Sequence, residues 1–179
     1  MENPTQLPSS LLIIGSNSLG GSFGEPSRKM KLYINELPDS IEKICSNAFF
    51  WGVPNVVITK VPPNLTTIEQ WAFYMCDSVG FDDIGYSNKL ESIGSSFLYE
   101  SGLGFWEAKK DTIDINKIII GKSVKLSKDT FNSYKGIEYA TFCFLGSPMD
   151  YGYNTSEEAA TALGLGAGRY VFNYDPSVT

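Results

Sequence analysis

Histidine is absent from all 179 residues. Its absence removes the commonest general base, the histidine-activated serine and cysteine nucleophiles, and every imidazole metal ligand. Three cysteines, Cys45, Cys76 and Cys143, lie far apart with no metal-binding spacing. They read as reduced, mostly buried thiols, and their odd number speaks against a disulfide framework. The carboxylates Asp82-Asp83, Asp111 and Asp114 have the oxygens calcium prefers. Their spacing, however, matches neither an EF-hand loop nor a glycine–aspartate nonapeptide. Gly20-Gly21-Ser22-Phe23-Gly24 lacks the Gly-Lys-Ser/Thr of a phosphate loop and reads as a turn. No acidic pair is marked out for glycoside hydrolysis. These residue types assign no catalytic group, no cofactor and no metal, so the chain reads as a non-enzyme.

Recognition chemistry is better represented. Phe50, Tyr74 and Tyr99 each stand one place after an apolar residue, Phe49, Phe73 or Leu98. Trp51, Phe105 and Trp106 lie in adjoining loops. Such rings can form a surface for carbohydrate or protein, or they can cover the outer turns and pack on one another. Residues 104–116 lengthen one unit, and insertions of this kind map to loops, often on a binding face.

A recurring phrase must position these side chains. The anchors Ile14, Ile44, Ile68, Ile93 and Leu126 follow one another at intervals of 30, 24, 25 and 33 residues. Five places after each comes Leu19, Phe49, Phe73, Leu98 or Phe131. A period in the twenties with a constant apolar phase predicts a solenoid. The phrase Ile41-Glu42-Lys43-Ile44 spaces its apolar residues as one helical turn or a tight turn would. Pro38 and Pro62 precede the phrase where a missing N–H does no harm. β-Branched and aromatic runs follow at 30–34, 56–59, 79–81, 118–120 and 139–142, and favour strand. One unit cannot bury its own apolar face, so the units must stack with strands in parallel. Burying each anchor contributes roughly 1.5–3 kcal/mol. Phe73→Ala should cost on the order of 3–5 kcal/mol. Phe131, in an outer unit with fewer neighbours, should cost less.

The residues Pro63-Asn64-Leu65-Thr66-Thr67-Ile68-Glu69-Gln70-Trp71-Ala72-Phe73-Tyr74-Met75-Cys76 resemble the BspA-type leucine-rich repeat. Its pattern is Pro-x-x-Leu-x-x-Ile-x-x-x-Ala-Phe-x-x-Cys. The second unit matches through Ala48-Phe49 but has Gly52 at the cysteine position; the fourth has Phe97-Leu98 for Ala-Phe; the fifth is degenerate. The resemblance covers residues 7–145 and implies an α/β solenoid. It would be a leucine-rich-repeat-like stack of about five units with a parallel sheet on one face and short turns or helices on the other. It also implies adhesion or binding to host or matrix proteins.

The balance of 14 basic and 20 acidic side chains, net −6, argues against nucleic acid and anionic membranes. Leu11 to Ile14 is too short for a membrane span or a signal peptide's apolar core, and no basic segment precedes it. Read from Met1, the chain is therefore expected not to be exported by the usual route.

The repeat stops near Gly146, so two segments are expected: a solenoid over 1–146 and a capping or docking element over 147–179. Thr155-Ser156-Glu157-Glu158 carries a capping-box signature, and Gly164, Gly166 and Gly168 end the helix it opens. Arg169 to Tyr174 alternates as a strand. Glu158-Ala159-Ala160, Gly164-Leu165-Gly166-Ala167-Gly168 and Tyr170 resemble a C-terminal element of tailed-phage virion proteins. That resemblance implies a structural virion component, a head or tail decoration or fibre module, assembled in the host cytoplasm. Its partners would be other virion proteins or a host surface protein or glycan, within an oligomer or larger assembly. Leu163, Leu165, Tyr170, Phe172 and Tyr174 would then form a docking tail. The alternatives are a tail that caps its own solenoid and, for function, a bacterial surface adhesin.

Overall fold

The computed structural model describes residues 6–20, 33–51, 56–109, 117–166 and 168–178. Residues 21–24 of the glycine-rich run, 30–32 of the first β-rich run, Gly52, Ala167, and the 110–116 part of the insertion with Asp111 and Asp114 lie outside the described residues.

The chain forms strands β1 (Ile13–Ile14), β2 (Lys43–Ile44), β3 (Val57–Ile58), β4 (Thr67–Ile68), β5 (Ser78–Val79), β6 (Asp83–Ile84) and β7 (Ser92–Ile93). Helix α1 (Leu103–Lys109) comes next, then β8 (Lys117–Ile120), β9 (Lys125–Leu126) and β10 (Thr141–Phe144). Helix α2 (Ser156–Leu163) and β11 (Arg169–Val171) close the chain. The first sheet has the order β1-β2-β4-β7-β9, all parallel. Its register aligns Ile14, Ile44, Ile68, Ile93 and Leu126 rung by rung, as the sequence spacing requires. Ile14, Ile44, Ile68 and Ile93 are buried, and Leu126 packs partly buried against the same core.

The Ile41–Ile44 phrase is not helical. A tight turn returns the Ile41 N–H to the Pro38 carbonyl at 3.1 Å, and the backbone then runs extended. Its polar groups pair with neighbouring units: the Cys45 N–H donates to the Ile14 carbonyl and the Glu69 N–H to the Ile44 carbonyl, both at 2.9 Å. Bonding between units satisfies these groups where a single isolated helical turn would leave most of them unpaired. Ile41, at the end of the turn, and Ile44, in the strand, are both fully buried.

Each unit turns its corner with left-handed residues in constant phase. Three places after the anchor stand Asn17, Asn47, Trp71, Ser96 and Asp129, with φ of 50–58°. Seven places after it stand Trp51, Met75, Glu100 and Ser133, with φ of 53–57°. Between these corners the loop is itself a rung: the Phe49 N–H meets the Ala72 carbonyl at 2.8 Å, and the Phe73 N–H meets the Phe97 carbonyl at 2.9 Å.

The β-rich runs do not form one continuous sheet. Ile34 bridges Val56, and β3 pairs β5 in parallel. Helix α1 then docks on β5, its Gly104 N–H bonded to the Asp77 carbonyl at 3.0 Å. The later runs join β6 in a third parallel sheet of order β11-β10-β8-β6. Between the sheets runs a spine of buried rings. Phe49 stacks on Phe73 at 5.1 Å, and Phe73, Phe81, Phe97, Phe131 and Phe142 continue it at 4.9–6.4 Å. Phe131 is fully buried between Phe97 and Phe142. The expectation that it sits in a thinly packed outer unit therefore does not hold.

The reason is the C-terminal segment. Thr155 caps α2, accepting the Glu158 N–H at 3.1 Å, and left-handed Gly164 ends the helix, as the capping signature predicts. The Asp129 N–H donates to the Ala162 carbonyl at 2.7 Å and the Phe131 N–H to the Leu163 carbonyl at 2.9 Å. The tail thus supplies the next rung of the ladder. Strand β11 pairs β10, and Phe172 stacks on Phe144 at 4.5 Å. The strand predicted through Tyr174 stops at Val171, and left-handed Asn173 turns the chain away.

Candidate functional site

The outward face of the first sheet follows from its two-residue rungs. The inner residue of each rung is apolar, and the residue before it faces out: Ile13 in β1, then Lys43, Thr67, Ser92 and Lys125. Thr67, Ser92 and Lys125 with their neighbours line a shallow groove of about 550 Å³ running from Ser46 across the sheet to Ser127. Gly94 shapes one wall. A Cβ there would lie 2.3 Å from the Gln70 backbone nitrogen, so only glycine lets adjacent units approach this closely. Glu69 is held at the same wall. Its carboxylate accepts from Lys43 Nζ at 2.6 Å, the Ser46 N–H at 3.0 Å and Ser46 Oγ at 3.1 Å. The Lys43 hydrogen bond, followed by those from Ser46, holds its pKa below the usual glutamate value.

The aromatic residues singled out by sequence divide into two groups. Phe50, Trp51, Tyr74 and Tyr99 form one stack on the outer turns. Trp51 lies on Phe50 at 5.6 Å, Phe50 on Tyr74 at 4.6 Å and Tyr74 on Tyr99 at 5.1 Å. The interplanar angles are 8°, 23° and 6°, so these rings spend much of their faces on one another. Phe105 and Trp106 do not join a surface. Both are buried under α1, and the Trp106 indole N–H donates to the buried Tyr134 hydroxyl. Burial holds the Tyr134 pKa well above the ordinary phenol value, so its hydroxyl stays neutral. Helix α1 packs on β5, and its two large rings belong to the core there.

The tail residues also separate. Leu163 and Leu165 are completely buried in this chain's own core and offer nothing to a neighbour. Tyr170 and Phe172 are half-buried against the same core. Tyr174 reaches Lys117, whose Nζ bonds its hydroxyl at 3.1 Å, and the pair borders a second groove of about 660 Å³ with Asp83, Tyr86 and Pro176. In that groove Asp83 already accepts from the Tyr86 N–H at 2.9 Å, from the Ser87 N–H and hydroxyl, and from Asn88 Nδ2. It holds a turn together.

Cys76 is buried, with its thiol toward the Phe49 carbonyl at 3.2 Å, as the repeat's cysteine position implies. All three cysteines are free thiols. Among the described residues there is no group of three or more His, Cys, Asp or Glu side chains that could hold a metal ion. Nor, among the described residues, is any helix long and apolar enough to cross a membrane.

Sequence reasoning passed over Trp71 as one more repeat residue, yet it is 43% exposed and directly follows Gln70, which lines the groove. The available signal was its place in the unit, where the others carry Asn17, Asn47, Ser96 and Asp129. No curated protein and no solved structure matches the chain. A family model for the BspA type leucine rich repeat region does match, in six copies over residues 5–145, leaving the C-terminal segment outside. With a parallel ladder in register and the repeat running through most of its length, the chain belongs to the BspA-type leucine-rich repeat family.

Proposed function

We propose that this chain is a non-enzymatic binding and adhesion module, and that the outward face of its first sheet meets the ligand. The observation that carries this reading is the unbroken five-rung ladder, with a groove lined by polar side chains over the rungs after the first. Each rung is held by its neighbours, so the groove is a preorganised surface that loses little freedom on binding. Leucine-rich repeats of this family are typically binding repeats rather than catalysts. The adhesion reading puts the chain at a bacterial cell surface, with a host or matrix protein or glycan as partner. The virion reading draws on the C-terminal segment, whose buried leucines are spent on the chain's own last unit. The solenoid face is therefore the better candidate for a contact.

The test is adhesion by display. Beads carrying the chain should bind target cells saturably, with excess soluble chain competing. Beads carrying Thr67→Glu, Ser92→Glu and Lys125→Glu together should not bind, because the three changes place like charges across adjacent rungs. Equal adhesion by the triple variant, folded to the same thermal midpoint, would refute the proposal.

A further inference from the structure

The two ends of the solenoid are finished differently. At the far end α2 supplies the rung that follows Phe131, and β9 carries Lys125 with Lys128 just beyond it, both exposed. Lysine on an edge strand discourages pairing with a further chain. At the near end β1 pairs β2 on one side, and among the described residues no strand lies on the other. Residues 6–20 contain no charged side chain. They align without a gap on residues 36–50, and each charge of that second unit is replaced: Glu36 by Gln6, Asp39 by Ser9, Glu42 by Leu12 and Lys43 by Ile13. Leu12 and Ile13 are 50% and 53% exposed. Two positions that are polar in the next three units are thus apolar on the strand with the open edge.

The same end leaves core and backbone groups unmet. Leu11 is only partly buried where Ile41 and Leu65 are fully buried, and Leu19 is only partly buried where Phe49 and Phe73 are fully buried. The second unit shows what the backbone of a unit offers to the one before it. On the strand side the Glu42 and Cys45 N–H groups donate to the Leu12 and Ile14 carbonyls. On the loop side the Ser46 and Ala48 carbonyls accept from the Asn17 and Leu19 N–H groups. In the first unit the matching donors are the Leu12 and Gly15 N–H groups, and the matching acceptors are the Ser16 and Ser18 carbonyls. Among the described residues none of these four groups has a hydrogen-bond partner. With donors on one side and acceptors on the other, this end is complementary to itself. A two-fold axis in the plane of contact lays the donors of one copy over the acceptors of the next, as an isologous contact requires. Charge favours the same partner. Each chain carries a net charge of −6, and the uncharged first unit lets two copies meet without opposing like charges. The capped far end offers no matching rung, so pairing closes at two copies instead of running on as a filament.

We infer that the first-unit end of the solenoid is the surface through which two copies of this chain pair, with Leu12 and Ile13 at its edge. The pair would present two grooves in one particle, which raises avidity for a surface without any new contact. Light scattering and sedimentation of the full chain, from micromolar to near-millimolar concentration, should show a monomer–dimer equilibrium. Ile13→Lys adds a lysine to each copy at the contact and should weaken self-association at least tenfold. That side chain is exposed in the single chain, so the thermal midpoint at high dilution should hold. Val171→Lys, an exposed position on the edge strand β11, should leave the equilibrium unchanged. In the unmodified chain the Leu12 and Gly15 amides should exchange with deuterium more slowly as concentration rises. A monomer at every concentration overturns the inference. So does an oligomer larger than two, a dimer that Ile13→Lys leaves intact, a dimer that Val171→Lys dissociates, or a dimer without that protection.

Discussion

Phe131→Ala tests whether the C-terminal segment is an integral cap. The ring is fully buried, with Phe97 on one side at 6.2 Å and Phe142 on the other at 4.9 Å, and its N–H is tied to Leu163 in the tail. Phe73, in a central unit, is equally buried between Phe49 at 5.1 Å and Phe81 at 5.8 Å. Deleting either ring removes its transfer free energy and leaves a cavity, together about 3–5 kcal/mol. A chain of this size shifts its thermal midpoint by roughly 2–4 °C per kcal/mol, so each variant should melt about 6–20 °C lower. Urea unfolding followed by far-ultraviolet circular dichroism would compare the two variants, with intrinsic fluorescence reporting on the packed core. Solenoid units are coupled to nearest neighbours, so a cap in place makes Phe131 behave as an interior residue. A Phe131→Ala cost below about 1 kcal/mol beside an intact Phe73→Ala penalty would refute the reasoning, since full core burial predicts about 3–5 kcal/mol at both sites.

Two further outcomes follow from named contacts. Met75 is left-handed at φ 55° and exposed; Met75→Asn should therefore stabilise the chain by about 0.5–1 kcal/mol, read as a higher urea midpoint. The Glu69 carboxyl is depressed first by Lys43 and then by Ser46. A depressed folded pKa means that its contribution is complete above the ordinary glutamate value of about 4.3 and disappears as pH falls through the lower folded value. Glu69→Gln should flatten that part of the acid-unfolding curve; an unchanged curve would show that the Lys43 pair contributes nothing.

Much of the architecture was legible because it is local and repeated. The anchor Ile44 recurs in phase with Ile68 and Ile93, and only parallel stacking buries them all, so register could be read without coordinates. Thr155 and Glu158 marked the start of α2 because capping depends on residues within one turn. The Ile41–Ile44 phrase misled because a spacing of three is shared by a helical turn and by a bent strand entry. Bonds to the next unit, which a single unit cannot reveal, decide between them.

What the sequence determined by itself was therefore the period, the apolar column, the family resemblance and the absence of imidazole chemistry. Tertiary structure decided the rest, because each remaining question concerned which neighbour a side chain meets. Trp106 and Trp71 are the same residue type in similar surroundings of sequence. The first is buried because α1 turns it toward Tyr134, and the second stays exposed at a left-handed corner of its unit. Leu163 and Leu165 could equally have suited a docking tail. They became core once α2 folded back to pair with Asp129 and Phe131, where the solenoid's last rung had unmet hydrogen bonds and an open apolar end.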